Sequence, residues 1–231
     1  MLVNLLQYTP DPERTVALAA RLCYSPSSIG ALQERLAAAD VAAFLDKIMS
    51  LGHLSVLEHV SFTFGVEGIS RACSHQLVRH RLASYSQQSQ RYVTFSGDEF
   101  PQVVPQSIAR HPELETVFQE AMQACAAAYR QLVDAGVPAE DARFVLPNAA
   151  ETKIVVTMNA RELRHFFELR CCERAQWEIR ALAIQMLRLV KPLAPPLFAD
   201  AGPGCVAGAC PEGEMTCGQA GEIRKKFKEL S

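Results

Sequence analysis

Residues 59–68 read HVSFTFGVEG and have the apolar alternation typical of a β-strand. Within them Val60, Phe62, Phe64 and Val66 alternate with smaller or polar residues. A period of two places these apolar side chains on one face of an extended backbone. The stretch therefore predicts a half-buried β-strand, and with it a sheet that packs one face against other elements.

Most of the remaining chain has helical periodicity, because its apolar residues recur at spacings of three and four. Asp40 and Ser70 are placed to cap helices, and Gly52 and Gly136 are placed to end them. The predicted helices cover residues 11–23, 41–51, 70–81, 112–135, 139–144, 160–170 and 174–192. Two further segments are strand-like: RYVTFS at 91–96 and TKIVVTM at 152–158. We therefore predict a single compact α/β domain in which helices pack around a small mixed or antiparallel sheet.

The periodicity is lost after Pro192, where the composition becomes rich in Pro, Gly and Cys. We expect a main domain at residues 1–192 and a C-terminal extension at residues 193–231. Three cysteines of the extension are five and seven residues apart: Cys205, Cys210 and Cys217. Structural zinc sites have four ligands and commonly pair cysteines two to four residues apart, so this is a weak metal signal. A Gly-rich flap with incidental thiols is the alternative.

Composition limits the classes of protein to which the chain can belong. Its 231 residues, 49% of them hydrophobic, suffice for one domain with a substantial core. No apolar run approaches the roughly 18 residues of a membrane span, and the first residues do not resemble a signal peptide, so we expect a cytoplasmic protein without a membrane partner. The eight cysteines are then expected to be reduced thiols.

The basic residues are concentrated locally although the net charge is −2. That net charge argues against general nucleic-acid binding. From Gly68 to Gly97 there is no acidic residue, yet the window holds Arg71, Arg79, Arg81 and Arg91. Arginine presents a rigid fork of donors that suits phosphate and carboxylate groups. If residues 70–81 are helical, arginines at the helix end point in different directions and can hold two anions.

The sequence RHRLASYSQQS at residues 79–89 fits the pattern R-H-R, seven residues, then Ser. This pattern resembles the signature of the flavin-dependent thymidylate synthases. Three more segments are similar to that family, in the expected order: GHLSVLEHVSFTF at 52–64, NARELRHFFELR at 159–170 and AQWEIR at 175–180. The resemblance implies methylation of dUMP at C5, with FAD as cofactor, 5,10-methylenetetrahydrofolate as carbon donor and NADPH as reductant.

The resemblance also implies site residues. Those implied for FAD are Ser55, Arg79, His80, Arg81, Gln87, Asn159, Ala160, Arg161 and His165, with His53 as a further binding residue near flavin and folate. Those implied for dUMP are Gln76, Leu77, Val78, Arg79, Gln87, Gln88, Ser89, Gln90, Arg91, Arg143 and Arg170. Two positions depart from the commoner family residues, since Gln87 replaces Glu and His165 replaces Asn. The family's sites are shared between subunits of a homotetramer, so we expect the same here.

Arg170 is the implied catalytic residue, because a cation beside the uracil ring stabilises charge that develops on it. On residue type alone, Arg170 could equally be a surface arginine paired with Glu173 or Glu178. Ser89 is interpreted as a phosphate-binding hydroxyl, since no base at fixed spacing would activate it as a nucleophile. Two other classes stay open from the residues alone: a nucleic-acid-binding module, and a cysteine-based redox or metal sensor.

Overall fold

The computed structural model of the chain describes residues 1–95, 97 and 99–230. The strands of the described residues are β1 (Leu2–Tyr8), β2 (Ser61–Ser70), β3 (Ala83–Gln87) and β4 (Glu151–Asn159). The helices are α1 (Pro12–Leu22), α2 (Ile29–Ala37), α3 (Ala42–Ser50), α4 (Arg71–Leu77), α5 (Gln106–Ala109), α6 (Pro112–Asp134), α7 (Ala139–Ala142), α8 (Ala160–Arg170), α9 (Trp177–Val190), α10 (Pro195–Phe198), α11 (Gly204–Ala207) and α12 (Ala220–Lys228). Short 3₁₀ turns lie at Leu54–His59, Arg143–Val145 and Gly213–Met215.

The four strands form one antiparallel sheet in the order β1-β2-β4-β3. The register of β2 against β4 is visible in two side-chain pairs. The hydroxyls of Thr63 and Thr157 lie 2.9 Å apart, and Lys153 Nζ lies 3.6 Å from a carboxylate oxygen of Glu67. Four residues forward along β2 thus correspond to four residues back along β4. The predicted α/β domain with a small antiparallel sheet is confirmed.

The alternating segment at residues 60–66, which includes the start of β2, buries one face, as the sequence predicts. Val60, Phe62, Phe64 and Val66 are each completely buried. Strand β4 alternates in the same way, since its even-numbered residues are buried and the residues between them are not. Burying one face of each strand is what gives such a sheet its stabilising contact with helices.

The chain divides into two compact units, which we describe separately. The first unit contains Met1–Leu2, Val66–Arg79 and Tyr85–Val155. Its long helix α6 contributes Ala126 to a small core with Phe100 and Ala150, and the buried Tyr129 of the same helix lies edge-on to Phe95 at a centroid distance of 6.0 Å.

The second unit contains Val3–Gly65, His80–Ser84 and the described residues from Val156 onward. Its core is aromatic at the centre: Phe62 and Phe167 each meet the ring of Phe198 edge-on, at centroid distances of 5.6 and 6.2 Å. Helices α8 and α9 add further apolar side chains to this core, because each has one buried face. Helix α8 is thereby fixed along its length, and this helix also carries several of the candidate site residues.

The caps and stops proposed from the sequence lie at helix ends. Ser70 Oγ accepts from the backbone N–H of Cys73 at 3.0 Å and begins α4. Gly52 and Gly136 follow α3 and α6 with φ values of 73° and 83°, a conformation that favours glycine. Asp40 accepts from the backbone N–H of Ala42 at 2.9 Å, at the start of α3.

The prediction of one helix through residues 70–81 is wrong at its end. Helix α4 stops at Leu77, where the Tyr85 hydroxyl donates to the Leu77 carbonyl at 2.8 Å. That bond satisfies a carbonyl that would otherwise continue the helix. Arg79 and Arg81 therefore lie beyond the helix, so the argument that they project from the faces of one helix end does not hold.

The prediction of a strand at residues 91–96 is also wrong over residues 91–95. These residues follow a turn in which the backbone N–H of Val93 bonds the Ser89 carbonyl at 3.0 Å, and Ser96 lies outside the described residues. The nearest strand is β3, within the motif at residues 79–89. Strand β1 and helix α2 were not predicted.

Residues 193–230 fold into α10, α11 and α12. Ile223 and Phe227 of α12 are buried, and Lys191 Nζ donates to the Phe227 carbonyl at 2.7 Å. Where the main domain ends stays a prediction. No helix in the described part of the chain is long and apolar enough to cross a membrane.

Candidate active site

In the first unit, α4 and β3 hold a group of polar side chains in place. Gln87 Nε2 donates to the hydroxyls of Ser74 and Thr152, both at 3.0 Å. Ser74 Oγ in turn donates to the Arg71 carbonyl at 3.0 Å. Gln87 is thus fixed by its amide N–H₂ group, and Gln76 lies half-buried on the neighbouring helix.

Glu140 links two of the candidate arginines. Arg91 Nε donates to the Glu140 carboxylate at 2.8 Å, and Arg143 Nε donates to the Glu140 carbonyl at 3.0 Å. Arg71 is electrostatically close as well, because its pKa is lowered first by burial and then by the charge of Arg143. Guanidinium groups this close together have the chemistry that suits an anion.

Gln90 has a buried donor without a partner. Its Nε2 atom is the one buried side-chain nitrogen or oxygen in the described part of the chain with no hydrogen bond. Leaving such a donor unpaired costs about 1–3 kcal/mol. A ligand acceptor would remove that penalty.

The other candidate residues of this unit differ in exposure. Leu77 is buried, Ser89 is half-buried, and Val78, Arg79 and Gln88 are exposed. The side chain of Leu77 is therefore not accessible to a ligand.

The second unit contains a cavity of about 630 Å³. Asn159, Arg161 and His165, three of the residues implied for FAD, lie in its wall. Asn159 begins α8, since its Oδ1 accepts from the backbone N–H of Glu162 at 2.8 Å. Arg161 forms an ion pair with Glu58, which also lines the cavity.

The C-terminal segment also lines the cavity. Asp200, Gly202 and Gly204 line the cavity. Arg164 joins α8 to this segment, because its Nη1 donates to Asp200 and to the Leu197 carbonyl, both at 2.7 Å. Residues beyond the family motifs thus take part in the cavity.

His80, the middle residue of the RHR motif, is buried at 5% exposure. Its Nδ1 lies 3.1 Å from Glu162 Oε1, and Arg170 Nε donates to its Nε2 at 3.0 Å. The pKa of His80 is lowered, chiefly by burial, with the charge of Arg170 acting in the same direction and the Glu162 hydrogen bond opposing both. The ring is therefore neutral at pH 7.

The remaining implied flavin residues are placed variously. Arg81, His53 and Ser55 are exposed, and the His53 ring lies edge-on to Tyr24 at 6.3 Å. Ala160 is buried, and its backbone N–H donates to the Val60 carbonyl at 2.9 Å. Ala160 thus anchors the start of α8 and has no exposed side chain to offer.

The cysteines of the possible zinc site do not form a group of metal ligands among the described residues. No group of three or more His, Cys, Asp or Glu side chains in the described ranges could hold a metal ion. Burial raises the pKa of the Cys205 thiol, and the nearby thiols of Cys210, Cys172 and Cys217 raise it further. These cysteines are near enough to interact but do not converge on one ligand position.

Three acidic residues that organise these sites were not predicted from the sequence. Glu140 orients two arginines, Glu162 contacts His80, and Asp200 holds Arg164. Each forms a contact across at least 36 positions of sequence: Glu140 with Arg91, Glu162 with His80, and Asp200 with Arg164. The available signal was weak: Glu162 lies three residues after the capping residue Asn159, where an acidic side chain is favoured anyway.

Comparison with known proteins gives a consistent result. Residues 4–196 match the family model described as thymidylate synthase complementing protein. A protein of Geobacter sulfurreducens named flavin-dependent thymidylate synthase is 73% identical over 231 residues, covering 100% of both chains. Proteins of the same name are 51% identical in Clostridium tetani, over 97% of this chain and 96% of theirs, and 44% identical in Pyrococcus furiosus, over 99% and 97%. The chain therefore belongs to the thymidylate synthase complementing protein family, that of the flavin-dependent thymidylate synthases.

Proposed function

We propose that this chain is a methyltransferase that converts dUMP to dTMP by reductive methylation at C5. The carbon comes from 5,10-methylenetetrahydrofolate, and the reducing equivalents come from NADPH through FAD. The observation that carries the proposal is the full-length similarity to flavin-dependent thymidylate synthases together with the residues that match the family's motifs. We also propose a cytoplasmic location.

The residues around the second unit's cavity fit FAD. Arg161 supplies a guanidinium for a pyrophosphate, while Asn159 and His165 supply hydrogen-bonding groups for ribose or ring atoms. The cavity of about 630 Å³ lies in the range of cofactor sites. Bound FAD supplies hydride transfer from the nicotinamide reductant. The exposed Arg81 adds a second cation for the same group.

The first unit offers the chemistry that dUMP requires. Arg91 and Arg143 supply fork donors for the phosphate, and Ser89 supplies a hydroxyl. The unpaired Nε2 of Gln90 supports a nucleotide acceptor at this position. Because Glu140 already accepts from Arg91, a bound phosphate has to replace or share that ion pair.

Arg170 has the catalytic role in this proposal. Its guanidinium stabilises negative charge that develops along the N3–C2–O2 edge of uracil as C5 becomes nucleophilic. Arg170 is half-buried and held through Nε, so its position is fixed before substrate binds. A preorganised cation costs no reorganisation in the transition state.

We propose a homotetramer with shared sites. Two large apolar side chains lie beside the candidate nucleotide arginines and are highly exposed: Tyr92 at 80% and Phe144 at 82%. Aromatic residues exposed to this degree at a site are typical of surfaces that meet another chain.

The residue roles are tested with Arg170→Ala and Arg81→Ala, and the control is Arg110→Ala, an exposed arginine directly after α5. We measure FAD retained after gel filtration and dTMP formed from dUMP with all co-substrates. Arg170→Ala should retain FAD and lose turnover, Arg81→Ala should lose FAD first, and the control should match the unmodified chain. The reverse pattern would show that the two roles are exchanged, and a chain that binds FAD but makes no dTMP would contradict the proposal.

A further inference from the structure

Three side chains of the second unit form a continuous hydrogen-bonded chain: Glu162, His80 and Arg170. Glu162 Oε1 lies 3.1 Å from His80 Nδ1, and Arg170 Nε lies 3.0 Å from His80 Nε2. Glu162 and His80 are each 5% exposed. The family resemblance assigned His80 to FAD and Arg170 to dUMP, and it assigned nothing to Glu162.

The donors and acceptors in this chain fix the tautomer of His80. Arg170 Nε carries a hydrogen and can only donate, so His80 Nε2 must be the acceptor and carry no proton. The ring proton then resides on Nδ1, where it is donated to the Glu162 carboxylate. A carboxylate that accepts a hydrogen bond from one imidazole nitrogen keeps the ring proton on that nitrogen. The other nitrogen then carries no proton.

Glu162 and Arg170 cannot pair directly. They lie eight residues apart on α8, which is about 12 Å along the helix axis. Between them on the same face lies Phe166, whose ring meets the His80 ring edge-on at a centroid distance of 4.9 Å. The imidazole thus spans the distance and is held both by packing and by hydrogen bonds.

The helix favours this arrangement at both ends. Glu162 lies in the first turn of α8 and Arg170 in the last. The helix dipole stabilises an anion at the N-terminus and a cation at the C-terminus. The bond to His80 uses only the Nε–H of Arg170, so it leaves the two terminal amino groups of the guanidinium for a ligand.

We propose that Glu162 is a positioning residue for Arg170, acting through the Nδ1–H tautomer of His80. The proposal rests on the catalytic role of Arg170 given above. Without the Glu162 carboxylate, His80 can carry its proton on Nε2, where it opposes Arg170 Nε–H donor to donor. The guanidinium then turns away from the orientation in which it faces uracil.

The first test reads the tautomer directly and needs no turnover. The full chain is labelled with ¹⁵N-histidine, and ring nitrogen shifts are recorded at neutral pH with FAD absent and present. The His80 signal is assigned by its loss in His80→Asn. We expect protonated Nδ1 and unprotonated Nε2 in the unmodified chain, and a mixture of tautomers in Glu162→Gln. An Nε2–H tautomer in the unmodified chain would overturn the proposal.

The second test uses kinetics and a matched control. Glu162→Gln should lower kcat for dTMP formation about 10- to 100-fold, by analogy with the loss of a carboxylate that orients a metal-binding imidazole, and should change the KM for dUMP less. Glu173→Gln is the control, since Glu173 lies in the same unit and pairs with Arg180 and Lys226. The control should leave kcat and the His80 tautomer unchanged.

The third test separates the two sides of the imidazole. In His80→Gln the side-chain carbonyl can replace Nε2 as the acceptor for Arg170, whereas in His80→Asn the amide can replace only the Nδ1 donor toward Glu162. Both variants lose the ring, so a purely structural role predicts equal activity. We expect His80→Gln to retain at least tenfold more turnover than His80→Asn, compared at equal FAD occupancy.

Failure of this proposal is distinguishable from failure of the proposed function. If the unmodified chain makes no dTMP, the proposed function fails whatever the tautomer. If it makes dTMP but Glu162→Gln behaves like Glu173→Gln and keeps the Nδ1–H tautomer, the function stands and the positioning role is wrong.

Discussion

Gly202→Ala should strongly destabilise the C-terminal segment, because the glycine has no room for a side chain. A Cβ atom there would lie 2.7 Å from Phe227 Cδ1, 3.2 Å from Phe227 Cε1 and 3.2 Å from Val206 Cγ2. Phe227 is 1% exposed and cannot move aside without disturbing the core. The φ of Gly202 is 149°, which an alanine rarely adopts.

The magnitude follows from two contributions. Forcing an extra methyl group into a packed core costs about 1–3 kcal/mol, and holding a non-glycine residue at an unfavourable φ costs about 1–3 kcal/mol more. The unfolding free energy should therefore fall by roughly 2–6 kcal/mol. For a chain of this size that lowers Tm by on the order of 10 °C.

The matched control is Gly208→Ala in the same segment. A Cβ at Gly208 would meet no atom within 4 Å, and its φ of −164° is open to any residue. This variant should stay within about 0.5 kcal/mol of the unmodified chain. Calorimetry and urea unfolding measure both variants, and FAD retention reports on the cavity wall that Gly202 forms. Equal stabilities for the two variants would show that residues 200–230 are not packed as described.

Three further predictions concern single contacts. Ser70→Ala should lower the unfolding free energy by about 1 kcal/mol in urea titrations, because it removes the cap of α4, and an unchanged midpoint would contradict the cap. Burial raises the pKa of Asp200, but the hydrogen bond and charge of Arg164 lower it by more. The contribution of this pair to stability should be fully present above the ordinary Asp pKa of about 4 and should be lost as the pH drops through the lowered pKa. In Asp200→Asn this contribution to the fall of Tm at acid pH should be absent. The pKa of His80 is lowered chiefly by burial, so below about pH 6.5 the unfolded chain binds a proton that the folded chain does not. The unfolding free energy should therefore fall with decreasing pH by up to about 1.4 kcal/mol per pH unit. In His80→Gln it should fall less steeply.

Features that depend on neighbouring residues could be predicted from the sequence. The alternation that includes Val60 and Phe62 predicts β2, because a period of two buries one face of a strand. Gly136 predicts the end of α6, because glycine accepts a positive φ. Strand β3 could not be found in this way. Its residues are polar, and Gln87 is held by hydroxyl groups of other elements rather than by apolar burial.

The site residues could be predicted only where they lie in the family's motifs. The RHR motif and the segment ending in Arg170 identified the residues, but their relation to one another depends on the fold. His80 and Glu162 are 82 positions apart, and no pattern in either segment predicts that their side chains are in contact. The C-terminal wall of the cavity was missed for a related reason: Gly202 and Gly204 serve by having no side chain, which a pattern of polar residues does not reveal.

The most direct test of the central claim is tritium release from dUMP labelled at C5. The assay supplies 5,10-methylenetetrahydrofolate and NADPH, with and without FAD, and omits each component in turn. We predict release that requires all of them and that disappears in Arg170→Ala while FAD stays bound. Folded, FAD-loaded chain that releases no tritium under these conditions would contradict the assignment of thymidylate synthesis to this protein.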